Sequence, residues 1–183
     1  MSRPLNLLVV LAGAVLLLDQ WTKRLALEHL QGAAPVPLID GLLQLTFTRN
    51  TGIAFGLGAG TRFPFWIFSL LAVLVIGWLM ARGRVAGLWP RVGLSLICGG
   101  ALGNLIDRVT TGSVVDFIEV GTSRWTFPVF NLADSAVTVG VAVFALTYHK
   151  VAPPQAATAA PGEPLAGDGP AGPSGPPAGA SRG

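Results

Sequence analysis

Charge is what this chain has least of. Only 11% of its 183 residues are Asp, Glu, Lys or Arg, where a soluble domain carries about 25%. That deficit excludes an ordinary soluble globule and indicates a protein of the lipid bilayer. The net charge of +3 is too small to argue for a nucleic-acid partner. The basic residues have to be read by position instead. Cysteine is nearly missing: Cys98 stands alone in an apolar run. One thiol excludes an intrachain disulfide and a cysteine-built metal cluster, and Cys98 is read as a packing residue. His29 and His149 are the two histidines, and their separation argues against a histidine-based metal site. The chain also lacks the internal repeat that transporters often carry.

What it has instead is long apolar stretches. The first runs from Leu5 to Leu18 and can continue as helix through Trp21 to about Leu27. The others are Phe63 to Met80, Val92 to Ile106, and about Val129 to Tyr148. Each reaches the roughly 20 residues needed to cross a bilayer when its polar flanks are counted. The first follows Arg3, as a signal peptide would, but no small-x-small cleavage site follows its apolar core. It is read as a retained span. The expected fold is membrane all-α with four transmembrane helices, built from residues 1–150. Residues 151–183 are rich in Pro, Gly, Ala and Ser and cannot bury a core. They are expected to be a disordered cytoplasmic tail with no catalytic role.

Arg3, the trio Arg82, Arg84 and Arg91, and Lys150 would all lie on one side of such a bundle. That side is the cytoplasmic one, with both termini inside. The loops at about 28–62 and 107–127 then face outward. Lys23, Arg24, Arg49, Arg62, Arg108 and Arg124 fall on that outer side, against the rule, and ask for a separate explanation such as pairing with acids. In the first outer loop, β-branched and aromatic residues flank Asp40-Gly41, which suggests a small hairpin or sheet. Trp21, Trp66, Trp78, Trp89 and Trp125 lie mostly near span ends and read as an interfacial belt.

Five acids stand out: Asp19, Asp40, Asp107, Asp116 and Asp134. Carboxylates close to a bilayer are costly and are functional candidates by default. Asp116 and Asp134 flank one short loop and would meet at one membrane face. Two carboxyls brought together can share a proton and serve as acid and base on one water. Helix capping is the competing role for Asp134, as the third residue after an Asn131 cap; the two roles can coexist. Asn104 and Arg108 are four apart on one helix face, with Asp107 three from Asn104. They are open to substrate or headgroup binding and equally to a structural polar cluster, with Asp107 a structural support beside its basic neighbour Arg108. Asp19 and Lys23, also four apart, read as an intrahelical ion pair. Asn50 can bond substrate or form a turn. A proton-coupled transporter would use similar carboxylates, but near the midplane and not at span ends.

Taken together, Asp19-Gln-Trp-Thr-Lys23, Arg49-Asn-Thr-Gly-Ile-Ala-Phe-Gly56, Gly99-Gly-Ala-Leu-Gly-Asn-Leu-Ile-Asp-Arg108, Val114-Val-Asp-Phe117 and Phe127-Pro-Val-Phe-Asn-Leu-Ala-Asp134 resemble the bacterial lipoprotein signal peptidases, or signal peptidase II. The motifs fall in that family's order and cover about Leu5 to Tyr148. The resemblance implies four membrane helices with a small extracytoplasmic β-cradle and a short periplasmic helix. It implies an aspartic endopeptidase with Asp116 and Asp134 as the catalytic pair, no cofactor and no metal, inhibited by the cyclic peptide globomycin. The implied substrates are prolipoproteins, cut on the N-terminal side of a diacylglyceryl-modified cysteine. Asn50, Gly52, Asn104, Arg108 and Asn131 match polar or clamping positions around the family's site. Asp19 and Lys23 match its structural first-span pair. The implied setting is the bacterial inner membrane, with the site on the extracytoplasmic face, membrane lipids as partners and a monomer as the working unit. Thr22 and Ile53 depart from the residues most frequent in the family, away from the pair.

Overall fold

The computed structural model describes residues 3–52, 64–122 and 124–148. The chain divides into two units, Met1–Val151 and Ala152–Gly183. The predicted tail lies outside the described residues.

Four helices form where the apolar stretches predict them. They are α1 (Arg3–His29), α2 (Trp66–Ala81), α3 (Leu88–Thr111) and α4 (Leu132–Tyr148). Helix α3 is central and packs against the other three. Its small residues let it do so. A Cβ at Gly99 would stand 2.7 Å from Ala12 O on α1, and one at Gly93 would stand 2.7 Å from Gly140 O on α4. Backbones that close gain dispersion contact that larger side chains would prevent. Apolar residues also face outward: Leu17 and Leu146 are each 72% exposed and Leu71 is 56% exposed. Such a surface suits lipid as its solvent. Among the described residues, α3 alone is both long and apolar enough to cross a membrane by those two measures; α2 and α4 are shorter apolar helices. No helix beyond these four occurs among the described residues, and the implied short periplasmic helix is not among them.

The β-structure is the small sheet of the two expected forms, and it extends beyond the first outer loop. Strands β1 (Val36–Ile39), β2 (Leu43–Asn50), β3 (Val114–Thr122) and β4 (Trp125–Thr126) form one antiparallel sheet in chain order. The turn at Asp40-Gly41 is as expected, with Gly41 at φ 69°, a conformation open to glycine at no steric cost. The second outer loop, however, is mostly strand. Helix α3 runs past the predicted Ile106 end to Thr111, stops at Gly112 with φ 73°, and hands the chain to β3. Residues Val114 to Phe117 are buried without alternation. A small apolar core of Ala26, Leu30, Val115 and Phe117 fastens the end of α1 to the sheet.

Candidate active site

Three backbone hydrogen bonds bring the two predicted carboxyls together. Phe117 N and Ile118 N donate to Phe130 O at 3.0 and 2.8 Å, and Phe130 N donates back to Ile118 O at 3.0 Å. The segment entering α4 is thus laid against β3 one residue before Asn131. Asp116, on β3, is 2% exposed; Asn131 is fully buried. Asn131 joins the pair. Its Nδ2 donates to Asp116 Oδ1 at 2.7 Å, while its Oδ1 accepts from Asp134 N at 2.9 Å. Asp134 Oδ2 accepts from Asn131 N at 3.4 Å, completing a reciprocal cap on α4. The cap and the convergence of the acids are therefore one arrangement.

Each carboxyl has a further amide partner. Asn50 Nδ2 donates to Asp116 Oδ2 at 3.0 Å, and Asn104 Nδ2 donates to Asp134 Oδ1 at 2.8 Å. Burial pushes the Asp116 carboxyl up to about 6; the Asn50 amide pulls against that, the charge of Asp134 adds to it, and the Asn131 amide and Lys23 oppose it. Asp134 is half-buried at the first turn of α4, where the helix dipole favours negative charge.

A second layer fixes these amides. Lys23 Nζ donates to Asn104 Oδ1 at 2.8 Å. With its oxygen taken by an ammonium, the Asn104 amide can present only N–H to Asp134. Lys23 is 3% exposed and lies 2.8 Å from Asp19 Oδ2 and 2.7 Å from Asp107 Oδ2. The intrahelical pair is there, but Asp107 also belongs to Lys23, and its expected neighbour Arg108 points elsewhere. Adjacent helical residues lie about 100° apart and do not share a face. Asp19 Oδ1 accepts from Ala133 N at 2.9 Å, tying α1 to the first turn of α4. Arg108 Nη2 donates to Gly52 O at 3.1 Å, while Gly52 N donates to Asn50 Oδ1 at 2.9 Å. Arg108 thus anchors the loop that carries Asn50. Asp40 sits in the exposed turn, away from this cluster.

Sequence reasoning missed Gln20. Its Nε2 donates to Asp107 Oδ1 at 2.9 Å and to Gly103 O at 3.3 Å. Only its position one residue after Asp19 marked it, and a single exposed-looking glutamine has no period to read.

Two cavities open on the pair. One of about 250 Å³ is lined by Phe65, Phe68, Ala72, Asn104 and Arg108; the other, of about 350 Å³, by Phe127, Phe130, Ser135 and Val139. Asn50, Asp116, Asp134 and Val137 line both. Both carboxyls therefore face space lined mostly by apolar residues.

Residues 11–150 match the family model for signal peptidase (SPase) II. The chain belongs to the signal peptidase II family. Membership makes it a peptidase. A lipoprotein signal peptidase of Geobacillus thermodenitrificans is 45% identical over 135 residues, 72% of this chain and 82% of that one. One from Syntrophus aciditrophicus is 40% identical over 146 residues, covering 77% and 91%. Two solved structures of bacterial membrane enzymes, obtained in meso at 2.3 and 1.9 Å, are each 33% identical. Their TM-scores are 0.71 and 0.67, over 79% and 78% of this chain and 88% and 92% of theirs. The family is thus one of bacterial membrane enzymes.

Proposed function

We propose that this signal peptidase II family member is an aspartic endopeptidase. It removes signal peptides from prolipoproteins by cutting on the N-terminal side of a diacylglyceryl-modified cysteine. Asp116 and Asp134 are its catalytic pair. One observation carries most weight: buried Asn131 holds the Asp116 carboxyl through its side-chain amide and the Asp134 carboxyl through its backbone N–H, and both acids line the same two cavities.

The pair is built unequal, as the chemistry requires. Burial raises the Asp116 carboxyl to about 6, which suits it to the role of the acid. Asp134, held by the Asn104 amide at the start of α4, takes the role of the base. Asp134 takes a proton from water as the water oxygen attacks the scissile carbonyl carbon. Asp116 gives its proton to the carbonyl oxygen, forming a neutral gem-diol. Collapse re-forms the C=O bond and breaks the C–N bond as the proton gained by Asp134 passes to the leaving amine. A hydroxyl proton returns to Asp116. Burial in an apolar setting and the charge of one partner on the other keep the two protonation states apart.

The substrate's acyl chains would stay in the bilayer and hold the scissile bond near the membrane face, supplying part of the orientation that rate requires. Asn50, Gly52 and Arg108 clamp the peptide from the β2 side. Four spans, both termini cytoplasmic, an extracytoplasmic site and a monomeric working unit complete the reading. The test is cleavage of a diacylglyceryl-modified prolipoprotein by purified wild type, Asp116→Asn and Asp134→Asn. Each variant should lose at least about a thousandfold in kcat, in line with losing half of an acid/base pair. Wild-type turnover by either would remove it from the chemistry.

A further inference from the structure

We infer that a groove at the outer ends of α1, α3 and β2, separate from the peptidase site, binds the phosphate of an anionic phospholipid headgroup. The groove encloses about 410 Å³ and is lined by Trp21, Arg24, Arg49 and Thr110 among others; neither carboxyl of the pair borders it. Lys23 and Asp107 also border it, but Lys23 is held between Asp107 at 2.7 Å and Asp19 at 2.8 Å and is not free for an outside anion. Arg24 and Arg49 are different. Both are exposed, and neither side chain has an ion pair or hydrogen bond among the described residues. Arg49 is held 5.7 Å from the Phe47 ring, and its backbone is fixed by pairing with Val115.

Two uncompensated guanidiniums lining one groove repel each other unless an anion lies between them. They also stand on the side that membrane proteins keep poor in Lys and Arg. A phosphate resolves both costs, and the guanidinium fork matches its oxygens bidentately.

Depth identifies the carrier. Helix α1 has 27 residues, about 40 Å at 1.5 Å per residue, against a hydrocarbon core of about 30 Å. Counted from Leu5, the core ends after about 20 residues, near Arg24. Leu17, Trp21 and Arg24 follow at helical spacing on one stripe, and Leu17 and Trp21 are 72% and 59% exposed. Aliphatic, interfacial aromatic, cation: that is the order in which one phospholipid presents acyl chain, ester region and phosphate. A free phosphate would use only the last of the three.

This site rests on the membrane orientation proposed above but not on the peptidase chemistry, so lipid retention and prolipoprotein cleavage can fail independently. The experiment delipidates the purified full-length protein in detergent. It then measures retained phosphatidylglycerol or phosphatidylcholine by native mass spectrometry, with glycerol phosphate as a third ligand. Wild type should retain phosphatidylglycerol over phosphatidylcholine. Arg24→Gln/Arg49→Gln should lower that retention by about thirtyfold, about fivefold for each cation. Arg24→Lys/Arg49→Lys should keep most of it, and guards against misfolding of the neutral pair. Equal retention by the Gln variant, or no lipid preference in wild type, overturns the site. Full displacement by glycerol phosphate would make free phosphate the ligand and overturn the lipid assignment.

Discussion

Asp116 is buried enough that its ionisation opposes the fold. Its carboxyl stands at about 6, above the ordinary 3.8, so the folded protein favours the neutral form. The contribution of that preference to stability is full below about 3.8 and is lost as pH rises through about 6. Asp116→Asn removes the dependence. Its amide N–H must also face the Asn50 or Asn131 donor, a cost that does not vary with pH. The melting temperature of Asp116→Asn relative to wild type, in detergent, should therefore rise between about pH 4 and pH 7; a flat difference would show that Asp116 does not titrate in this range. Asn50 acts on the same proton. Its amide donates to Asp116 Oδ2 at 3.0 Å and stabilises the carboxylate. Without that bond the neutral form persists to higher pH. In Asn50→Leu the alkaline limb of kcat/KM should move up by roughly one pH unit, since a hydrogen bond to a charged group is worth about 1.5 kcal/mol or more. The limb belongs to the coupled pair, so both carboxyls are reported by one profile. An unmoved limb would take Asp116 out of the acid role.

At the level of elements, the site depends on how closely α3 approaches α4. A Cβ at Gly100 would run into Ala133 O, backbone at the first turn of α4, whereas one at Gly13 on α1 meets nothing within 4 Å. Ala133 lies between Asn131 and Asp134, so the clash is delivered to the arrangement that joins the two carboxyls. Gly100→Ala should cost about 1–3 kcal/mol of stability, as overpacking does, and should lower kcat more than it raises KM. Gly13→Ala should be neutral or stabilising by up to about 1 kcal/mol. Thermal melts with single-turnover cleavage check both; equal behaviour of the two would deny the α3–α4 contact its importance. The helices were legible in the sequence because hydropathy is a local property. So was the cap, because Asn131 and Asp134 are three residues apart. Strand β3 was not, since Val114-Val-Asp-Phe117 is buried throughout and shows no alternation to read. Asp107 went to Lys23 and not to Arg108 for a reason the sequence did contain: neighbours on a helix face different ways. The partner on α1 could be known only once α1 and α3 were packed.

At the scale of the whole molecule, the proposed four-span orientation would require the bundle to reconcile helices of unequal reach. Helices α2 and α4 have 16 and 17 residues, about 24–26 Å, and α3 has 24, about 36 Å. A bilayer core of about 30 Å is longer than the first two and shorter than the third. Short helices beside long ones are accommodated by thinning the lipid locally and by tilting the longer element. The polar cluster at the outer end of α3 would then stand at the thinned face, with the sheet lying over it. The basic residues favour the same orientation: Arg82 and Arg84 lie against Trp78 at 5.8 and 5.4 Å, on the link that would face the cytoplasm. Single cysteines in a Cys98→Ser background test the arrangement directly. Asp40, Arg84 and Thr122 are all exposed. A membrane-impermeant thiol reagent applied to intact spheroplasts should label Asp40→Cys and Thr122→Cys and spare Arg84→Cys until the membrane is opened. Because, among the described residues, α2 is the one helix between the sheet and Arg84 on one side and α3 the one on the other, labelling of all three from outside would mean that neither helix crosses the bilayer.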